Sequence, residues 1–178
     1  SARFGIDAYV PNMIYGKIIG PPVRMWATVK SIDDSEAKGI DGYIKTIPVN
    51  LPKQMGYLIE SAAVVVASSF PAAMRAAQLV KVDWALPETP LVSSDDMAKH
   101  ARRLQQDPNA GENFVLKGDI EKVAKSSQTQ ISAEYHTEMV THATLEPASA
   151  VAQQVDGDWH IYAGLQAGNV MRYFVSLL

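Results

Sequence analysis

The chain has 178 residues, of which 47% are hydrophobic and 20% charged, so it is long enough for one ordinary domain and its composition disfavours wholesale disorder. Its 16 Lys and Arg against 19 Asp and Glu give a net charge of −3, which disfavours a surface that tracks nucleic-acid phosphates. Cysteine is absent, which excludes disulfides, thiolate nucleophiles and Cys-ligated metal centres within the chain, and no apolar run approaches the ~18 residues of a membrane span.

The first part of the chain, residues 1–84, is predicted to be rich in strands. Alternating apolar and polar residues, bounded by turn residues, indicate strands at Phe4–Val10, Met13–Gly20, Thr28–Ile32, Gly42–Val49, Tyr57–Glu60, Ala62–Ala67 and Val80–Trp84. A short helix is predicted at Asp33–Lys38. A second helix is predicted after Ser69, a good N-cap, with Pro71 in its first turn and an alanine face that can pack against a sheet.

The remainder divides into a connector, residues 85–117, and a third zone from Gly118 onwards. The connector holds a predicted surface helix that starts at Ser94-Asp95-Asp96 and ends near Gln106. The predicted elements of the third zone are a short helix at Asp119–Lys125, an extended segment at Thr129–Tyr135, a hairpin of Ala148–Val155 and Asp158–Ala163, and a helix beginning near Val170. Residues at both ends resemble the interior of a structure, so we expect the chain to be a piece of a larger polypeptide.

One cluster combines histidines with acids: His136 and His142 with Glu134 and Glu138. Two His and a carboxylate are a usual metal-ligand set. The spacing is not HExxH, however, and in an extended segment residues six apart lie roughly 20 Å from each other. We therefore do not expect a standalone metal site here.

Nucleophile and phosphate motifs are missing from the sequence. There is no GxSxG, no GxGxxG and no GxxxxGK[ST]. Ser149 and the pair Ser68-Ser69 lie in unremarkable contexts, and Ser69 is explained as a helix cap. A small serine hydrolase is therefore the weakest of the alternatives.

Two polar residues are unusual for a purely structural role. Glu146 lies in a largely apolar segment before Pro147 and needs a partner, either a hydrogen-bond network or a ligand. Gln166 follows the predicted hairpin and lies between Gly164 and Gly168, where its neutral amide can meet a bound group.

Taken together, the segments resemble the molybdenum-binding subunit of the xanthine dehydrogenase/aldehyde oxidase family of molybdenum hydroxylases, most of all the isoquinoline 1-oxidoreductase β subunit and related aldehyde dehydrogenases. The resemblance depends on the order and spacing of many short matches over nearly the whole chain. The matches are Ala2–Asp7, Pro11–Gly16, Gly20–Val23, Val29–Asp33, Ala62–Trp84, Gly118-Asp119, Glu134-Tyr135, His142–Pro147 and Leu165-Gln166.

The resemblance implies an α+β fold in which residues 1–84 form an α/β-hammerhead domain and residues 85–117 a linker with a surface helix. Residues 118–178 would be the first, truncated part of a molybdopterin-binding domain. The parent protein would oxidise a small aldehyde or N-heterocycle with water as the oxygen source. Molybdopterin would be its cofactor, Fe–S clusters would lie in a partner subunit or separate domain, and neither nucleic acid nor a membrane span is implied.

The resemblance also assigns residues. Gln166 corresponds to a glutamine that lies beside the molybdenum and hydrogen-bonds one of its oxygen ligands, whereas Glu146 and His142 would support the site. No residue here would ligate the metal directly. The glutamate general base and a glycine-rich loop that approaches the cofactor are expected beyond residue 178, so the chain alone is expected to be inactive and to bind no cofactor. The residues after Gln166, Ala167-Gly168-Asn169, depart from the proline-containing sequence common in the family.

A second class of function stays open: a non-catalytic interaction or scaffold domain, which explains residues 1–84 equally well. Exposed apolar surface around residues 139–178 would favour the enzyme, because that surface would be covered by the remainder of the subunit. The sequence leaves open whether the protein works in the bacterial cytoplasm or the periplasm.

Overall fold

The computed structural model describes residues 4–23, 26–50, 61–88, 91–112, 114–115, 117–138, 140 and 143–176. The strands of this part of the chain are β1 (Tyr15–Ile19), β2 (Thr28–Asp33), β3 (Tyr43–Val49), β4 (Ala62–Ala67), β5 (Lys81–Ala85), β6 (Ala150–Val155) and β7 (Asp158–Ala163). The α-helices are α1 (Phe70–Ala77), α2 (Ser94–Gln106), α3 (Ile120–Ser126) and α4 (Gly168–Val175). They fall into two compact units, residues 1–88 together with 143–178, and residues 89–142.

The core of the first unit is an antiparallel sheet in the order β1-β4-β3. The central strand β4 is paired on both edges and packs against α1, and its Ala63, Val65 and Ala67 are inaccessible to solvent. Short β-branched and alanine side chains suit a strand that a helix must approach closely. The apolar run predicted at Ala62–Ala67 is confirmed.

Helix α1 covers this sheet as its sequence predicts. The Oγ of Ser69 accepts a hydrogen bond from the backbone N–H of Ala72 at 3.3 Å, which caps the helix. The alanine face, Ala72, Ala73 and Ala76, is fully buried. Alanine in these positions lets the helix backbone lie close to β4, and the core continues through Val65 and Val80.

A second, two-stranded ribbon pairs β2 with β5 in antiparallel register. The register shifts between Val29 and Ser31, so the ladder is irregular there. The side-chain amide of Asn50 pairs with both backbone groups of Val29, as a neighbouring strand would. Its Oδ1 accepts from the backbone N–H at 2.7 Å, and its Nδ2 donates to the carbonyl at 3.0 Å.

A polar network surrounds Tyr43, the first residue of β3. The hydroxyl of Tyr43 donates to a carboxylate oxygen of Asp34 and lies 2.9 Å from the Oγ1 of Thr46. The hydrogen bond from Tyr43 and the neighbouring Lys38 ammonium hold the pKa of Asp34 below its ordinary value. Burial, followed by the bond to Asp34, raises the pKa of Tyr43.

The hairpin predicted after Pro147 is also confirmed. Strands β6 and β7 pair from Ala150↔Ala163 to Val155↔Asp158, and Asp156-Gly157 forms a two-residue turn with φ of 52° and 93°. Positive φ at both positions is the backbone that Asp-Gly adopts most readily, and it matches the twist of the strands. Helix α4 follows and begins two residues earlier than predicted.

The second unit contains α2 and α3. Helix α2 begins at Ser94 as predicted, but its N-cap is the preceding Ser93, whose side chain and backbone exchange hydrogen bonds with Asp96. Asp119 caps α3 by accepting from the N–H of Lys122 at 2.9 Å.

Two strand predictions are wrong. Phe4–Val10 contains a 3-10 turn at Gly5–Asp7 rather than a strand, because the Asp7 carboxylate accepts from the N–H of Phe4 at 3.1 Å and the turn closes on itself. Thr129–Tyr135 forms no ladder with any described strand, so its alternation had no sheet to bury it. The strand predicted at Tyr57–Glu60 lies outside the described residues. The domain boundaries at residues 84 and 117 stay predictions.

Candidate functional site

The partner that Glu146 needs is a backbone N–H far away in the sequence. The Oε1 of Glu146 accepts a hydrogen bond from the N–H of Gly5 at 2.8 Å, across 141 residues of chain, and the contact is partly buried. The Oγ1 of Thr144 donates to the carbonyl of Glu146 at 2.7 Å, which holds the segment before Pro147 in shape. The 3-10 turn at Gly5–Asp7 therefore presents its first N–H to a carboxylate.

Two glycines leave the space that this carboxylate fills. A Cβ on Gly164 would lie 2.9 Å from each of the two carboxylate oxygens of Glu146, closer than real Cβ atoms approach. A Cβ on Gly5 would lie 3.3 Å from Oε1 and 3.1 Å from the Oγ of Ser149. Glycine at both positions lets the 3-10 turn and the chain after β7 close on one carboxylate.

Ser149 has a polar atom without a partner. Its Oγ is inaccessible to solvent and makes no hydrogen bond within the part of the chain that the structure describes. An unpaired buried hydroxyl is uncommon and is a place where a bound group or water is expected. No histidine or acid activates Ser149 as a nucleophile there, so the serine hydrolase alternative gains no support.

Gln166 lies two residues after Gly164, in the short loop between β7 and α4. Its side chain is exposed, and it makes no hydrogen bond among the described residues. The amide is therefore free to donate and to accept. The structure thus places the Glu146 carboxylate beside Gly164, two residues before Gln166. His142 lies outside the described residues.

The three described members of the His/acid cluster, His136, Glu134 and Glu138, do not converge on one point. His136 Nε2 lies 3.1 Å from the Oε1 of Glu138, and Glu134 accepts instead from the guanidinium of Arg102 at 2.8 Å on α2. All four side chains are exposed, and the described residues contain no group of three His, Asp or Glu placed to hold a metal ion. The absence of a metal site here stays a prediction, because His142 lies outside the described residues.

Gly5, Gly164 and Ser149 are the residues that sequence reasoning missed at this place. The local pattern puts Gly5 in a predicted strand, and nothing nearby marks a glycine whose neighbour is 141 residues away. Glu146, before Pro147, is the one residue whose sequence context predicts a contact here, and that context does not identify the partner.

Comparison with known proteins gives a domain match for the last part of the chain and related enzymes for nearly all of it. Residues 105–178 match the sequence model of the Molybdopterin cofactor-binding domain. The chain is 36% identical over 93% of its length to the "Membrane-bound aldehyde dehydrogenase [pyrroloquinoline-quinone]" of Gluconacetobacter polyoxogenes. It is 23% identical over 93% of its length to a nicotinate dehydrogenase subunit of Pseudomonas putida. The xanthine dehydrogenase molybdenum-binding subunit of Escherichia coli O157:H7 is 22% identical over 98% of the chain.

Solved structures share the fold. The chain superimposes over 98% of its length on quinoline 2-oxidoreductase from Pseudomonas putida 86 with a TM-score of 0.57 and 20% identity. A second match, also over 98%, is the Cu,Mo-CO dehydrogenase, with a TM-score of 0.54 and 22% identity. The mixed helix and strand fold is confirmed at this level.

The matches cover only part of each relative. The chain spans 21% of the aldehyde dehydrogenase, 14% of the nicotinate dehydrogenase subunit and 27% of the xanthine dehydrogenase subunit. In the described residues no helix is long and apolar enough to cross a membrane. Residues 105–178 thus match the molybdopterin cofactor-binding domain, and nearly the whole chain is similar to part of the molybdenum-binding subunits of dehydrogenases.

Proposed function

We propose that the chain is part of the molybdenum-binding subunit of a molybdenum hydroxylase that oxidises an aldehyde or an N-heterocycle with water as the oxygen source. The observation that carries the proposal is the match of residues 105–178 to the molybdopterin cofactor-binding domain. The names of the relatives, which include an aldehyde and a nicotinate dehydrogenase, support the substrate classes.

The residues present fit the implied cofactor at one point. Gln166 presents a neutral amide with no competing partner among the described residues, as a hydrogen bond to an oxygen ligand of the cofactor requires. Molybdopterin, when bound, supplies the redox chemistry. Gln166 would orient it, Glu146 would support the loop, and His142 is proposed as a further support by resemblance alone.

The division of labour along the chain is part of the proposal. Residues 1–84 would form the α/β-hammerhead domain, residues 85–117 the linker, and residues 118–178 the beginning of the cofactor domain. The three-stranded sheet packed against α1 supports an α/β scaffold without chemistry of its own. The general base and the glycine-rich loop would come from sequence beyond residue 178, and Fe–S clusters from a partner subunit or domain.

Exposed apolar side chains distinguish this proposal from a self-contained interaction module. The hairpin and α4 carry large apolar side chains that are 39–67% exposed, among them Trp159, Ile161, Tyr162, Val170, Met171 and Tyr173. Strand β7 is exposed from Asp158 to Tyr162, and a two-stranded hairpin is marginally stable alone. We infer that this surface, defined by these six residues, is covered by further polypeptide of the subunit in the working enzyme.

Metal analysis of the native protein that contains this segment tests the proposal. The name of one relative specifies pyrroloquinoline quinone, whereas the domain match specifies molybdopterin, so both cofactors are measured. Near-stoichiometric molybdenum without extractable quinone is the expected result. A native protein with no molybdenum overturns the proposal and favours the scaffold alternative.

Gln166→Ala in the full-length enzyme is expected to slow turnover without unfolding the subunit. Loss of one positioned hydrogen-bond donor typically lowers kcat by about 10²-fold or more where charge develops. Steady-state kinetics measure the effect and circular dichroism checks the fold. Gln106→Ala at the end of the exposed helix α2 is the matched control, and unchanged kinetics for Gln166→Ala would refute its role.

A further inference from the structure

We propose that Glu146 is a positioning residue whose carboxylate fixes the loop bearing Gln166 by joining it to the 3-10 turn at Gly5–Asp7. The inference deepens the proposed function and rests on it. In this proposal the carboxylate lies between Gly5, which donates a hydrogen bond to it, and Gly164, which leaves room for it.

The first contact is a hydrogen bond to a charged acceptor. The N–H of Gly5 donates to the Oε1 of Glu146 at 2.8 Å, in a partly buried place. Hydrogen bonds of this type are stronger than neutral ones, and partial burial reduces competition from water. The 3-10 turn itself is held by Asp7, so the donor is presented in a defined direction.

The second contact is steric. The absence of a side chain on Gly164 leaves room for both oxygens of Glu146, since a Cβ there would lie 2.9 Å from each. The carboxylate, held by Gly5, therefore lies in close contact with the chain as it leaves β7. Residue 166 is only two residues further on, at most about 7 Å along an extended chain, so a shift at Gly164 is transmitted to Gln166.

No other described contact holds the Gln166 side chain, which is exposed at the start of the loop into α4. The position of its amide then depends on the backbone of the loop. A backbone held at Gly164 by a carboxylate, and a carboxylate held by Gly5, give that loop its anchor. This explains why a glutamate lies in an otherwise apolar segment.

The test combines two sets of variants in the full-length enzyme. The first set is Glu146→Gln, which keeps the shape and one acceptor but loses the charge, and Glu146→Ala. Glu121→Gln, the same change on the exposed helix α3, is the control. The second set adds Gly164→Ala to the wild type and to Glu146→Ala, with Gly168→Ala as its control because nothing lies within 4 Å of a Cβ there.

The expected kinetic result is a fall in kcat of about tenfold to hundredfold for Glu146→Gln, with KM little changed, because misplacement of a positioning group affects the reacting geometry. The electron paramagnetic resonance spectrum of the partly reduced metal centre should change in the same direction as in Gln166→Ala, and not in Glu121→Gln. A folded, molybdenum-loaded Glu146→Gln protein with the wild-type spectrum and kcat would overturn the positioning role.

The expected result for the glycine is a coupling. Gly164→Ala should lower the Tm in the wild type and lower it clearly less in Glu146→Ala, because the atoms that the methyl group meets have been removed. Gly168→Ala should show no such coupling. Equal losses of Tm in both backgrounds overturn the contact. A native protein without molybdenum overturns the proposed function and the role toward the cofactor, whereas the Tm coupling tests the contact itself, so the two failures are distinguishable.

Discussion

Tyr43 and Asp34 give the fold a pH dependence that the sequence did not reveal. The hydrogen bond from Tyr43 is the main reason why the pKa of Asp34 lies below its ordinary value of 3.8. A lowered pKa in the folded state means that the unfolded chain takes up the proton first as the pH falls. The stabilisation is therefore complete above about pH 4 and is lost as the pH falls through the folded pKa.

Tyr43→Phe is expected to make the chain less stable at neutral pH and less sensitive to acid. Without the hydroxyl the pKa of Asp34 returns towards 3.8, so less stability is lost between neutral pH and about pH 3. Urea unfolding at several pH values measures the difference. Tyr9→Phe, at a residue that is 72% exposed, is the control, and an identical pH profile for Tyr43→Phe and wild type would contradict the assignment.

Glu146 shows how far residue-level reasoning reaches. Because a carboxylate in an apolar segment costs free energy unless it is paired, the need for a partner was predictable from the sequence. The partner is a backbone N–H, which every residue except proline offers, so nothing in the sequence of Gly5 marks it. The roles of Gln166 and His142 toward a cofactor stay predictions.

At the scale of elements, helix α1 depends on small side chains. Ala73 is fully buried against β4, so Ala73→Leu inserts three carbon atoms where the helix backbone and the sheet are already in contact. Overpacking of this kind costs about 1–3 kcal/mol. Arg75→Leu introduces the same side chain on the exposed side of α1 and is expected to change the free energy of unfolding little. Denaturant unfolding compares the two, and equal effects would contradict the close packing.

The elements that the sequence predicted well are those in which the local signal and the tertiary partner agree. Ser69 caps α1, Asp156-Gly157 turns the hairpin, and Ala62–Ala67 is buried as the central strand. Phe4–Val10 and Thr129–Tyr135 alternate in the same way but pair with no described strand. Alternation states which side chains share a face, whereas a strand also needs a neighbour, and that neighbour is decided by the rest of the fold.

At the scale of the whole molecule, similarity along nearly the whole chain was stronger evidence for the relatives than any single motif. Each segment that carried the resemblance is short, whereas the relatives align over 93–98% of the chain. The similarity to molybdenum-binding subunits and the mixed helix and strand fold were predictable in this way. The contacts that join residues near the start to those near Pro147 were not, because they follow from a three-dimensional closure that no local spacing encodes.

The exposed apolar surface of the hairpin and α4 leads to the last prediction. The 178-residue chain produced by itself is expected to bind a hydrophobic dye such as ANS, because these side chains have no cover within the described residues. It is also expected to show no hydroxylase activity and to hold no molybdopterin tightly, because the general base is assigned to sequence beyond residue 178. Replacing Trp159 and Tyr173 by Ser should reduce dye binding more than Ile131→Ser, which changes a single apolar residue in an irregular segment. Dye titration and an aldehyde oxidation assay measure the two properties. Activity in the isolated chain would show that residues 1–178 contain a complete site, and the assignment of the general base to sequence beyond residue 178 would then be wrong.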